Sequence, residues 1–274
     1  MTEPIRLTQP TEPVQPTQPI RWTYAFVDRP LKKFGPACEF WTAVTRTKLS
    51  ERRGERGEFV TLLPDGAADA CVKAQGVAGS GPGAGGAHLD LVVEDVPALV
   101  RSALRLGADT VADHGDWAVL RSPGGQLFCA VPWHGESKRP PVIKGPSGVT
   151  SRLDQVCIDL APAVYEAEIA FWSALTGWES VPGALAEFHA IRPPAALPVR
   201  ILLQRLGNAR PTAAHIDIAC SDIDAIRIRH ELLGATLLGR GARWAVMRDP
   251  SGGTYCLTPR DPETGGLPAP SPSN

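Results

Sequence analysis

No stretch of this 274-residue chain is long and apolar enough to span a bilayer. Thr2 to Pro19 form a Thr/Gln/Pro/Glu tract that lacks the apolar core of a secretion signal. No Cys-X-X-Cys pair occurs among Cys38, Cys71, Cys129, Cys157, Cys220 and Cys256, which removes the usual signatures of zinc ribbons and thiol redox enzymes. Each cysteine lies in or beside an apolar segment and reads as a small buried hydrophobe. With no secretion signal, these thiols predict a reducing, cytoplasmic setting. An excess of one charge is missing too. With Lys+Arg 28 against Asp+Glu 29, the net charge of -1 offers no handle for nucleic acid or an anionic membrane. A nucleophile elbow and a phosphate loop are also lacking. Gly81-Pro-Gly-Ala-Gly-Gly86 matches G-x-G-x-x-G in form, but it leads into a strand, so no helix N-terminus would receive a pyrophosphate. That segment reads as a connector.

What is present is a duplication. His88-Leu89-Asp90-Leu91 returns as His215-Ile216-Asp217-Ile218, Trp117-Ala118-Val119 as Trp244-Ala245-Val246, and Cys129 and Pro132 as Cys256 and Pro259, all 127 residues apart. Upstream, Phe40-Trp41 matches Phe171-Trp172 at an offset of 131, and Glu58 and Gln75 match Glu187 and Gln204 at 129. The drift implies short loop deletions between the matching elements. A repeated unit of this size is an ordinary domain, and 43% hydrophobic residues suffice for two cores. The preference for Arg over Lys, with abundant Ala, Gly and Pro, suggests a GC-rich bacterial genome.

Alternation places Trp22, Tyr24 and Phe26 on one face of a strand over 21–28, and apolar periodicity predicts a helix over 34–44. Strands follow near Leu49, over 58–63 and over 70–74. The pattern then restarts with a strand over 87–93, a helix over 96–106 and three further strands. Gly107 suits the left-handed position that ends the second helix. Each half-domain therefore reads β-α-β-β-β. The expected organisation is a disordered tail over 1–20, domain 1 over 21–133, a Pro/Gly/Lys/Ser linker over 134–150, domain 2 over 151–261 and a second tail over 262–274.

The motifs His88-Leu-Asp-Leu-Val-Val-Glu-Asp95, Leu106-Gly-Ala108 and Arg121-Ser-Pro-Gly-Gly-Gln126, with their domain 2 counterparts, resemble the vicinal oxygen chelate (glyoxalase-like) superfamily. The resemblance covers both domains. It implies an α+β fold of two tandem glyoxalase-like domains, each built from two βαβββ modules forming a cupped mixed sheet. That superfamily includes isomerases, ring-cleaving dioxygenases and metal-free drug-binding resistance proteins, so fold alone does not select an activity.

Its enzymes hold a divalent metal with His, Gln or Glu from the first, fourth, fifth and eighth strands. Carried over by position, His88 and His215 match the fifth strand. The eighth-strand Glu is replaced by Cys129 and Cys256. The fourth strand offers Lys73 and Leu203, with Gln75 and Gln204 nearby, and the first offers Trp22 to Tyr24 and Leu153 to Gln155. From this depleted set we expect no cofactor and no stoichiometric metal. The expected ligand-binding residues are Trp22, Tyr24, Glu58, Gln75, His88, Asp90 and Trp117 in domain 1 and Asp154, Glu187, Gln204, His215, Asp217 and Trp244 in domain 2. The His-X-Asp pairs serve equally as structural hydrogen-bond pairs, and the tryptophans as core. The leading expectation is metal-independent binding or sequestration of a small organic molecule, with resistance proteins as the analogy. The alternative is a lyase, isomerase or dioxygenase with a degenerate metal or acid–base site in domain 2. The two domains are expected to pair within one chain, compatible with a monomer.

Overall fold

The computed structural model describes residues 18–79 and 85–268. Module 1 comprises β1 (Trp22–Pro30), α1 (Phe34–Thr45), β2 (Thr47–Leu49), β3 (Phe59–Pro64) and β4 (Val72–Val77). Module 2 comprises β5 (Ala87–Val93), α2 (Val96–Arg105), β6 (Asp109–Asp113), β7 (Ala118–Arg121) and β8 (Leu127–Pro132). After a short β9 (Ile143–Lys144), module 3 holds β10 (Thr150–Leu160), α3 (Tyr165–Thr176), β11 (Glu179–Pro182), β12 (Phe188–Arg192) and β13 (Arg200–Arg205). Module 4 holds β14 (Ala213–Cys220), α4 (Ile223–Leu232), β15 (Thr236–Arg240), β16 (Ala245–Arg248) and β17 (Thr254–Thr258).

The strands form two open mixed sheets, ordered β2-β3-β4-β1-β5-β8-β7-β6 and β11-β12-β13-β10-β14-β17-β16-β15, with β9 added beside β10. In each, the two modules meet through one antiparallel pair, β1 with β5 and β10 with β14. The fold is α+β with two tandem glyoxalase-like units, as the motifs implied. Asp95 and Asp222, one per repeat, cap α2 and α4 by accepting from the amides of Ala98 and Ala225.

One continuous apolar core runs through both domains. Phe40 and Trp41 on α1 meet Tyr255 of β17 and His230 of α4, while Phe128 of β8 meets Phe171 and Trp172 on α3. Each contact carries a buried carboxylate. Glu168 accepts from Trp172 Nε1, Ser122 Oγ and the Gly124 amide. Asp249 accepts from Trp41 Nε1 and from Arg29 Nε at 2.6 Å, and both side chains of that ion pair are fully buried. The two interfaces are related by the duplication, yet the acid lies on the helix in one and on the turn in the other.

The tail and linker boundaries are tighter than the sequence suggested. Ile20 is buried, and residues 262–268 are held by Arg200 and Arg260, which donate to the Thr264 and Gly265 carbonyls. In the linker, the amides of Ser137 and Lys138 bind Asp69. The central part of the glycine-rich connector, 80–84, falls outside the described residues, as do 1–17 and 269–274. Among the described residues all six cysteines are free and buried, and no helix is long and apolar enough to cross a membrane.

Asp249→Ala leaves the Arg29 guanidinium buried without its counter-charge. Urea unfolding should show a loss of about 3–5 kcal/mol. Glu94→Ala, which breaks the half-exposed pair with Arg21, should cost at most about 1 kcal/mol.

Candidate functional site

Because strand side chains alternate, each sheet presents every second residue to a concave face, away from the helices. In domain 1 this cup is lined by Tyr24, Phe26 and Asp28 of β1, Lys73 and Gln75 of β4, His88 and Asp90 of β5, Cys129 of β8, and Trp117. In domain 2 the cup is lined by Gln155 and Cys157 of β10, Leu202 and Gln204 of β13, His215 and Asp217 of β14, Cys256 of β17, Phe188 and Trp244. Counted with the solvent at their mouths, the cups hold about 1370 and 810 Å³. Volume therefore favours domain 1; the chemistry of the floors separates them differently.

Each floor carries an imidazole between two carboxylates. His88 Nδ1 lies 2.7 Å from Asp28 and its Nε2 faces Asp90 at 3.8 Å. His215 Nδ1 lies 3.5 Å from Asp159 and its Nε2 3.3 Å from Asp217. Burial alone would disfavour the imidazolium, but in His88 the Asp28 charge overcomes it and raises the pKa. In His215 burial is likewise opposed, by the Cys157 sulfur, Asp159 and Asp217, and the pKa ends well above its usual value. Burial pushes the Cys157 thiol up, so at neutral pH it carries no charge and the two carboxylates supply the effect on His215.

Strand register identifies what has diverged. Phe26 pairs with both Lys73 and His88, and Cys157 pairs with both Leu202 and His215. Phe26 and Cys157 are thus equivalent, as are Lys73 and Leu202. In cup 1, Lys73 Nζ binds Asp90 Oδ2 at 3.2 Å and lies 3.7 Å above the Tyr24 ring, while Phe26 stacks on His88 at 4.4 Å. In cup 2, the neutral Gln155 amide donates to Asp217 Oδ2 at 2.6 Å. Phe188 and Trp244 meet edge to face at 5.5 Å across the wall.

The structure brings together Tyr24, Gln75, His88, Asp90 and Trp117 in one cup and Gln204, His215, Asp217 and Trp244 in the other. Four expected residues lie elsewhere. Trp22 is buried in the core and donates to the Ala70 carbonyl. Glu58 turns out to accept from the Arg56 amide in an exposed loop. Glu187 is absent from the cup lining and serves through its backbone carbonyl, which accepts from Tyr165 and Arg205. Asp154 is fully buried beside Arg200 and Arg260, at the bulge between Leu153 and Gln155, and alternation from the cup-lining Gln155 and Cys157 puts it off the cup face. The fourth-strand position belongs to Leu202, one residue before Leu203, and that step moves the side chain to the other face. Asp28, Asp159, Cys157 and Phe188 were missed. The Phe40-Trp41 offset of 131, applied to β1, relates Asp28 to Asp159 and would have found them.

The resembling enzymes' divalent ion can be tested against these donors. Atoms of His88, Asp90 and Cys129 lie within 4.8 Å of one another, as do those of Cys157, His215 and Asp217. In cup 1, the Lys73 ammonium already neutralises Asp90, and burial followed by the Asp90 charge pushes the Cys129 thiol up. In cup 2, both nitrogens of a proton-retaining His215 face carboxylates, and burial pushes up Cys157 and Cys256. Thiols and an imidazolium are poor partners for a hard ion that seeks imidazole and carboxylate. The donor sets do not fit it.

The shifts dictate a pH dependence. His88 and His215 have raised folded pKa values, so their stabilisation is complete below about pH 6.5 and is lost as pH rises through the folded values. His230, buried against Tyr255, is lowered by burial to about 4, so its contribution is present above about 6.5 and lost as pH falls towards 4. Urea midpoints should therefore decline from about pH 6.5 to 8, before free thiols ionise. The double variant His88→Gln, His215→Gln should lose that decline, whereas an unchanged slope would place its origin elsewhere.

A family profile for the Glyoxalase-like domain matches residues 25–131 and 155–258. No curated protein matches by sequence. Among solved structures, the Mn(II)-bound glyoxalase from Novosphingobium aromaticivorans aligns with TM-score 0.60 and 15% identity, over 93% of this chain and 89% of that one. An extradiol ring-cleaving dioxygenase from B. fuscum aligns with TM-score 0.61 and 15% identity, over 95% of this chain and 77% of that one. A xylose isomerase-like TIM barrel/4-hydroxyphenylpyruvate dioxygenase fusion protein aligns with TM-score 0.57 and 14% identity over 90% of this chain, which spans about half, 51%, of its length. These likenesses speak for the fold. With both repeats matched and the four βαβββ modules in place, the chain belongs to the Glyoxalase-like domain family, within the vicinal oxygen chelate superfamily.

Proposed function

We propose that this protein binds a small organic molecule in the domain 2 cup without a resident divalent ion, and that it sequesters the molecule rather than converting it. The observation that carries this reading is the floor of the cup. Asp217 is 4% exposed, and its Oδ1 accepts no hydrogen bond, while Phe188 and Trp244 stand above it as flat apolar walls. His215 Nε2 faces this oxygen at 3.3 Å without making a hydrogen bond to it, and a ligand N–H or O–H aimed at the oxygen supplies that bond. The thiols at the first- and eighth-strand positions support the metal-free part of the reading.

A second reading is an enzyme of the same superfamily. It is favoured by the Asp159–His215–Asp217 arrangement, in which a proton-carrying imidazole between two acids lies in an open cup, as general acid–base chemistry requires. The ring-cleaving and glyoxalase structures of similar fold keep this reading in play.

Elemental analysis and a thermal-shift screen separate the two. Dialysed protein should hold well under one divalent ion per chain, and small aromatic compounds should raise the melting temperature equally with and without added metal. Asp217→Asn and Trp244→Ala should each weaken binding by about tenfold or more, with Asp217→Asn lowering stability by no more than about 1–3 kcal/mol. One tightly held ion per chain, lost in His215→Ala, would favour the enzyme.

A further inference from the structure

A third recess, sharing no lining residue with either cup, lies where β2, β3 and the start of β4 face the linker and the start of β10. Counted with the solvent at its mouth, this groove holds about 890 Å³. Buried Leu62, Val72, Val142 and Leu153 give it apolar walls. Its lining also carries three cations, Arg46, Lys144 and Arg152, and one acid, Asp65, which Lys48 takes at 2.9 Å. Among the described residues none of the three cations forms an ion pair. Arg46 and Lys144 are exposed, so water serves them.

Arg152 is different. It is 7% exposed; its Nη2 donates to the Glu263 carbonyl at 2.7 Å, while its Nε is buried with no acceptor. Arg139, next to the Pro140 that lines the groove, also has a buried Nε with no acceptor. Burial, and then repulsion from Arg139, lower the Arg152 pKa, so its charge is held at a cost. Asp154 and Glu263 offset part of that cost. Asp154, however, does not line the groove and is taken by Arg200 at 3.1 Å, and Glu263 is exposed. Cys71 lines the groove too, but burial pushes its thiol up to about 12, so no thiolate serves as counter-ion.

We propose that this groove is a binding site for an organic monocarboxylate with an apolar body. The carboxylate meets Arg152, supplying the acceptor and the counter-charge that the chain withholds, and the body lies on Leu62, Val72, Val142 and Leu153. Arg46 and Lys144 at the rim attract the anion. A single charge suits the site, because a second one would be desolvated against apolar walls with one buried guanidinium to answer it.

Methyl NMR of the full chain, titrated with octanoate and with 1-octanol as an uncharged control of similar size, tests this. Octanoate should shift the Val72 and Val142 methyl signals and bind there about tenfold more tightly than the alcohol, as one charge-assisted hydrogen bond provides. Arg152→Gln should erase that preference. Arg152 also holds the Glu263 carbonyl. Should that variant not fold, Arg46→Glu with Lys144→Glu reverses the rim charge and should weaken octanoate but not octanol. Trp244→Ala, in the domain 2 cup, should leave the Val72 and Val142 shifts unchanged. Equal binding of acid and alcohol would overturn the carboxylate assignment, as would an octanoate affinity that the rim reversal leaves untouched. Octanoate that moves the Leu185 and Leu202 methyls alone would place it in the domain 2 cup and remove the groove as a site.

Discussion

Both cups depend on the antiparallel contact that joins the two modules of each sheet. Where β1 meets β5, Phe26 faces His88, and where β10 meets β14, Cys157 faces His215. A strand repeats every two residues, so this register alone decides that His and Asp enter the cup while Leu89, Leu91, Ile216 and Ile218 enter the core. The helices then cover the apolar face, and the polar face is left open. The bulge in β10 shows how tightly the constraint acts. It leaves Asp154 off the cup face beside Arg200, while Gln155 keeps the pairing with Asp217 that Tyr24 has with Asp90.

Duplication also made the interface between domains, and there the copies have exchanged parts. Trp41 and Trp172 occupy matching places, and each indole donates to a buried acid. One acid comes from the turn after β16 and the other from the first turn of α3. What both versions keep is a charge or dipole set around the carboxylate: Arg29 beside Asp249, and Ser122 with the Gly124 amide beside Glu168. Physical demand fixes the presence of partners, because an unpaired buried carboxylate is costly. Their identity is free to change.

The cups diverged under a different rule. An interface must be satisfied from within the chain, whereas a cup can leave a group for a ligand. Cup 1 neutralises its inner acid with Lys73 and stacks Phe26 on the imidazole. Cup 2 keeps the same acid and imidazole, with Cys157 and Leu202 where cup 1 has Phe26 and Lys73. Cys129, Cys157 and Cys256 also face these floors, and burial pushes their thiols up.

Local chemistry made much of this architecture readable from the chain. Spaced repeats of His-X-Asp and Phe-Trp pairs at helical spacing pointed to the two domains, the four βαβββ modules and the helix positions to within a residue or two. Each of these signals rests on periodicity or on contacts a few residues apart. The same alternation rule identified His88, Asp90, His215 and Asp217 as cup residues, since neighbours on one strand declare its face. Tertiary structure alone decided which residues of other strands oppose them. Asp28 at 2.7 Å from His88, Lys73 on Asp90, and the removal of Asp154 from the cup all follow from inter-strand register and one bulge. Those features depend on pairings across 17 to 62 residues, which no local pattern encodes.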